Sequence, residues 1–132
     1  MLPNLNFVTF NSIGTKKRIK FVFTPHLSPM FRGILSTIYV NLNSRYTSKD
    51  IQKTLEKFHK KNKFVKILKN NSFISTNDVI NTNRCHISVC KTKSRNKFII
   101  LSIIDNLIKG GSGQGVQNMN LKFGFPLTTG LI

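Results

Sequence analysis

Residues 98–104 read Phe-Ile-Ile-Leu-Ser-Ile-Ile, six apolar side chains in seven positions. A run so apolar and so rich in β-branched residues calls for a strand. Just upstream, residues 85–90 alternate. Cys85, Ile87 and Val89 point one way, and His86, Ser88 and Cys90 the other. The first set reads as the core side, which makes Cys85 a buried, inert thiol. Residues 91–96, Lys-Thr-Lys-Ser-Arg-Asn, carry turn chemistry. The chain is thus committed to a β-hairpin, and the other elements are read by how they join it.

Residues 19–24 read as a strand. Pro25 and Pro29 then bracket a rigid turn that holds His26. Gly33 interrupts the chain, and residues 34–42 read as a second strand, largely buried. Residues 64–68 read as a further strand. Between these lies a helix over residues 47–61, with Thr47 as cap, Asp50 in the first turn and basic residues in the last. Ile51, Leu55 and Phe58 fall at i, i+4 and i+7 as one apolar stripe, and the Lys-rich far face reads as solvated. Residues 70–84, rich in Asn and Thr, read as a long loop. After Asp105, Lys109-Gly110-Gly111-Ser112-Gly113 is a glycine-rich turn. Residues 114–123 then read as a helix with Val116, Met119 and Phe123 on one side, followed by an extended tail. At the other end, residues 2–13 place Leu5 and Val8 on one side of a short helix, with Gly14 as its stop. The order predicts an α+β fold, a mixed or antiparallel sheet with helices on one face, as a single domain over residues 1–132.

Twenty-one Lys and Arg face four acids, a net charge of +17. Such an excess suits a surface for nucleic acid or another polyanion. The chain is also crowded with Lys, Asn, Ile and Phe, the residues of AT-rich codons. Its charge is spread from Lys16 to Lys122 instead of gathered in a block. The compositional explanation is preferred, and a nucleic-acid partner is the alternative. A hydrophobic fraction of 39% excludes a disordered chain. Two cysteines make no disulfide framework, the N-terminus does not read as a signal peptide, and no run of about 18 apolar residues exists to span a membrane. A reducing, cytoplasmic location is expected. His26, His59 and His86 show no ligand spacing, so no metal site is expected.

His26 is the leading candidate for chemistry. A histidine in a rigid turn at a strand end can present its imidazole to a pocket as a general acid or base. Arg32, six residues on, suits a carboxylate or phosphate of the substrate.

Phe23-Thr24-Pro25-His26-Leu27-Ser28-Pro29-Met30, followed by Arg32-Gly33-Ile34-Leu35-Ser36-Thr37, resembles the histidine-bearing segment of the N-acetyl-gamma-glutamyl-phosphate reductases. Asp105-Asn106-Leu107-Ile108-Lys109-Gly110, then Gly113-Gln114 and Val116-Gln117-Asn118-Met119-Asn120-Leu121, resembles that family's C-terminal signature. So does Gly124-Phe125-Pro126 with Thr129-Gly130-Leu131. Asn83, Cys85 and Ile87 match a weaker third position. The chain departs from the pattern at Ser28, Phe31, His86, Gly111, Ser112 and Gly115, none of which removes the histidine.

The resemblance implies a domain like the C-terminal catalytic domain of glyceraldehyde-3-phosphate dehydrogenase-like enzymes. It also implies a step of arginine biosynthesis, in which NADPH reduces N-acetyl-glutamyl phosphate to the semialdehyde with release of phosphate. In that family a cysteine thiolate attacks the acyl phosphate, a thioester forms and hydride reduces it, with a histidine handling protons. His26 matches that histidine. The cysteine and the dinucleotide-binding half have no counterpart in these 132 residues, so the chain is expected to be inactive alone and the NADP site to lie largely on the missing half. By resemblance Asn106, Gln114, Gln117 and Asn118 lie near the cofactor, residues 104–132 pack on the missing half, and the whole enzyme is a homo-oligomer. A fragment of a related aminoadipyl-phosphate reductase is a further reading, and a plastid a second location.

Overall fold

The computed structural model describes residues 7–11 and 18–132, which fall in two units, one within Met1–Met30 and one covering Phe31–Ile132. The first holds an antiparallel pair, β1 (Phe7–Asn11) and β2 (Arg18–Val22), with Phe7 opposite Val22 and Asn11 opposite Arg18. The helix expected over residues 2–13 is therefore a strand at 7–11, where Phe-Val-Thr-Phe are all good strand formers. The remainder of that segment lies outside the described residues. Residues 23–30 follow β2 without regular structure and are exposed.

The second unit contains β3 (Ile34–Asn41), α1 (Ser48–His59), β4 (Val65–Ile67), a short 3-10 turn (Thr76–Asp78), β5 (Cys85–Lys91), β6 (Lys97–Ile104), a π-type turn (Ile108–Ser112) and α2 (Gly113–Phe123). The sheet order is β3-β6-β5-β4. β6 runs antiparallel to both neighbours, and β4 runs parallel to β5, so the sheet is mixed and the α+β class holds. The hairpin forms, with Cys85 opposite Ile104 and Lys91 opposite Phe98. β6 is apolar because it lies between two strands, and Ile103 within it is fully buried.

Directly opposed residues share a face. Val89, Ile100 and Ile38 point one way. On that side Ile51 and Leu55 of α1 meet Val40, Leu42 and Ile100 around an apolar cavity of about 330 Å³. On the other face the polar stretch expected as a long loop packs down. The Ser88 hydroxyl donates to the Ser72 carbonyl at 3.1 Å, and both Val79 and Asn83 are fully buried. With cover on both faces, the simple division of β5 fails. His86, Ser88 and Val89 are its buried residues, while Cys85, Ile87 and Cys90 are half-buried. Burial lowers the pKa of His86, aided by Lys66 and Arg84 and opposed by Asp78.

Three other expectations are corrected. β3 is not buried, because among the described residues it is an edge strand bonded to β6 alone; Ile34, Leu35 and Ile38 remain 43–47% exposed and Tyr39 78%. On α1, the inward residues are Ser48, Ile51, Gln52, Leu55 and His59, while Phe58 is 83% exposed. At about 100° per residue, Phe58 sits roughly 75° from the centre of that face. The C-terminal tail is folded instead of extended. Gly124 ends α2 with φ +72°, and the buried Asn120 amide donates to the Thr129 carbonyl at 2.8 Å, curling the tail back. Met119, Leu121 and Phe123 on α2 are exposed.

α1 starts at a reciprocal cap. Asp50 N–H donates to Thr47 Oγ1 at 3.4 Å, and Thr47 N–H donates to Asp50 Oδ2 at 2.8 Å. Thr47→Ala is expected to cost about 1 kcal/mol in urea denaturation, while Thr47→Ser retains most of that stability.

Candidate functional site

Asp105 closes β6 and is fully buried. A carboxylate there must be surrounded by donors. Its Oδ1 accepts from Leu107 N–H at 2.8 Å and Ile108 N–H at 3.1 Å, and its Oδ2 from Asn81 N–H at 2.7 Å. Arg32 Nε reaches both oxygens, at 3.1 and 2.9 Å. Burial alone would raise the Asp105 pKa. The Asn81, Arg32, Ile108 and Leu107 bonds outweigh it and hold the carboxyl below the usual value of 3.8. Next to it, Asn106 Oδ1 accepts Gly33 N–H at 2.9 Å. Gly33 is at φ +107°, and a Cβ there would lie 2.6 Å from Thr76 Cβ, so glycine is required for this approach. Arg32 thus spends its Nε on Asp105.

A second cluster stands where the π-type turn enters α2. Lys109 Nζ donates to Gln117 Oε1 at 2.7 Å and Gln114 Oε1 at 2.9 Å, and lies 5.5 Å from the centre of the buried Phe64 ring. Asn83 Nδ2 donates to Gln117 Oε1 at 3.0 Å, and Gln114 Nε2 to Asn118 Oδ1 at 2.9 Å. Burial lowers the Lys109 pKa, with Cys85 opposing. Three of the four expected cofactor-side residues, Gln114, Gln117 and Asn118, therefore form one network, and Asn106 bonds elsewhere. The sequence reading missed Lys109 and Asn83 as members. For Lys109 the signal was its charge at the start of the glycine-rich turn, with Gln114 and Gln117 five and eight residues on, whereas Asn83 lies far upstream, before β5, and carried no such signal.

His26 lies in the first unit, exposed, with Nδ1 3.0 Å from the Thr24 carbonyl oxygen. That contact places the proton on Nδ1 and leaves Nε2 with the lone pair. Arg32 lies in the second unit.

Does the glycine-rich turn suit a dinucleotide? The strand before it is antiparallel to its neighbours, with no βαβ unit. A Cβ on Gly113 would lie 2.5 Å from Asn83 Oδ1 and 2.6 Å from Ile108 Cγ2, so that glycine is occupied by close packing. These residues do not make a pyrophosphate cradle. At the start of α2 the amides of Gln114, Gln117 and Asn118 form one connected edge. Among the described residues no helix is long and apolar enough to cross a membrane.

Residues 9–106 match the family described as semialdehyde dehydrogenase, dimerisation domain. The chain belongs to that family. The match takes in His26, Arg32 and Asp105 and ends before α2. The semialdehyde dehydrogenase domain is also similar to curated proteins named N-acetyl-gamma-glutamyl-phosphate reductase. That of Vesicomyosocius okutanii subsp. Calyptogena okutanii (strain HA) is 50% identical over 115 residues, 87% of this chain and 32% of the relative. That of Staphylococcus aureus (strain USA300) is 42% identical over 120 residues, 91% of this chain and 35% of the relative. The chain spans about a third of the length of these relatives.

Because the folded-state pKa of Asp105 is depressed, its stabilisation is present above about pH 3.8 and lost as pH falls through the lower folded value. Asp105→Asn is expected to cost about 2–3 kcal/mol at pH 7 by leaving buried donors and Arg32 poorly paired. Urea titrations at descending pH should show the gap between wild type and variant closing below about 3.8.

Proposed function

We propose that this chain is the histidine-bearing part of an NADPH-dependent N-acetyl-gamma-glutamyl-phosphate reductase, an oxidoreductase of arginine biosynthesis that converts the acyl phosphate to the semialdehyde and releases phosphate. The observation that carries this reading is the 42–50% identity to reductases over most of the chain, together with His26 in the Pro25–Pro29 segment.

In this reading the nucleophilic thiol and most of the NADP site belong to the other two thirds of the relatives' length. His26 holds its Nε2 lone pair ready, takes the proton of that thiol, and returns a proton to the substrate oxygen. A thiolate is the competent nucleophile, and an adjacent imidazolium favours it. The Nη groups of Arg32 meet the substrate's anionic group. The amide edge of α2, with Asn106 on the turn before it, lies towards the cofactor. The family's description as a dimerisation domain and the exposed apolar residues of β3 support a homo-oligomer joined through this sheet. The bacterial relatives support a cytoplasmic location over a plastid.

The purified chain alone is expected to show no NADPH oxidation sensitive to thiol alkylation. Adding the N-terminal part of the Vesicomyosocius relative, which this chain does not match, should give acyl-phosphate-dependent oxidation. His26→Asn in the chain should then lower the rate by about 10²–10⁴. Turnover by the chain alone, or an unimpaired His26→Asn mixture, contradicts the assignment.

A further inference from the structure

Asp105 and Asn106 hold two consecutive residues of a distant segment. Arg32 is held by its side chain, through the Asp105 carboxylate, and Gly33 by its backbone N–H, through Asn106 Oδ1 at 2.9 Å. Thr76 packs against Gly33 from a third segment. The carboxylate is fixed in turn by the Leu107, Ile108 and Asn81 N–H groups. Neither the backbone at residues 32–33 nor the carboxylate can swing without breaking buried hydrogen bonds.

The form of this ion pair leaves a donor face over. An arginine that only neutralises a carboxylate gains most from a forked contact of two parallel N–H donors. Here Nε alone serves both oxygens, at 3.1 and 2.9 Å. Among the described residues neither Nη group has a hydrogen-bond partner, and the side chain keeps 19% exposure. The part of the guanidinium best suited to grip an anion is therefore unengaged, on a stem that is locked. A long side chain loses rotamer freedom when it binds a ligand, and for Arg32 that loss has already occurred on folding. The pair is also neutral as a whole. Its pull on an anion is short-ranged and directional, unlike the diffuse field of a +17 chain.

We propose that Asp105 is a positioning residue of the reductase, holding Arg32 by Nε so that both Nη groups are presented, preformed, to the anionic group of the acyl-phosphate substrate. The role rests on the reductase reading and adds to it a residue that does not itself touch the substrate.

The test is steady-state kinetics of the full chain mixed with the N-terminal part of the Vesicomyosocius relative, with the acyl phosphate and NADPH varied in turn. Arg32→Gln keeps an N–H donor where Nε stood and deletes the fork. It should raise KM for the acyl phosphate about tenfold and leave KM for NADPH unchanged. Asp105→Asn should give the same split, because a loosened fork grips the anion less well. The double variant should be no worse than Arg32→Gln alone, since Asp105 acts through Arg32. A merely structural Asp105 would lower the folded fraction instead, reducing kcat at constant KM, and its effect would multiply that of Arg32→Gln. Either result overturns the proposal and leaves the reductase reading standing. A wild-type mixture that does not turn over the acyl phosphate overturns both. Urea midpoints check that each variant is folded under assay conditions. If Asp105→Asn is unfolded, Asp105→Glu, which keeps the charge and displaces it by one methylene, takes its place in the cycle with the same expected outcome.

Discussion

The buried carboxylate of Asp105 is the group around which the second unit is organised. It binds the chain just before β3 through Arg32, the loop before β5 through Asn81, and the turn before α2 through Leu107 and Ile108. None of those segments is held to the others by sheet pairing at that point. A charge with no exposure is tolerable only when donors surround it, so each segment must arrive in register or leave the charge uncompensated. The neighbouring Asn106–Gly33 bond repeats the same tie with a neutral group. The long sequence separation, 73 residues between Arg32 and Asp105, makes this a tertiary lock and not a local turn.

Strand-forming composition, turn chemistry and capping made the hairpin, α1 and α2 legible as elements, although the apolar side read for α2 is exposed at Met119 and Phe123. The exposure of β3 was not legible. Ile-Leu-Ser-Thr-Ile-Tyr-Val reads as buried by composition, but sheet order decides burial, and β3 lies at an edge. Residues 70–84 are the long loop that was expected, but their polar composition gave no sign that Asn83 is fully buried with its amide donating to Gln117. Phe58 was misplaced by a spacing rule that ignores the breadth of the helical face. For the candidate site, the sequence and its motifs singled out His26, Arg32 and the amides as candidates, and they could not show that Arg32 is committed to Asp105 through Nε or that Lys109 gathers the amides.

That gathering has a directional effect. An ammonium accepts nothing, so it draws oxygen atoms towards itself. Gln114 and Gln117 turn their carbonyl oxygens to Lys109, and Asn118 turns its own to Gln114. One amide hydrogen of Gln114 is spent on Asn118, and Gln117 Oε1 also accepts from Asn83. The orientation of the amides at the start of α2 is thereby set by one partly buried cation.

The free edge of β3 sets the colloidal behaviour of the chain. Among the described residues these eight uncharged positions pair on one side only, the condition under which sheets join edge to edge. The strand carries no lysine to keep a second copy away, so protection falls to the +17 charge of the molecule as a whole. Such protection is long-ranged and weakens as ions shrink the screening length to about 8 Å at physiological strength. Salt, which stabilises many basic proteins against their own repulsion, would here bring copies within reach of one another. Solubility and assembly become opposite ends of one electrostatic scale, with β3 as the surface that decides what happens on contact.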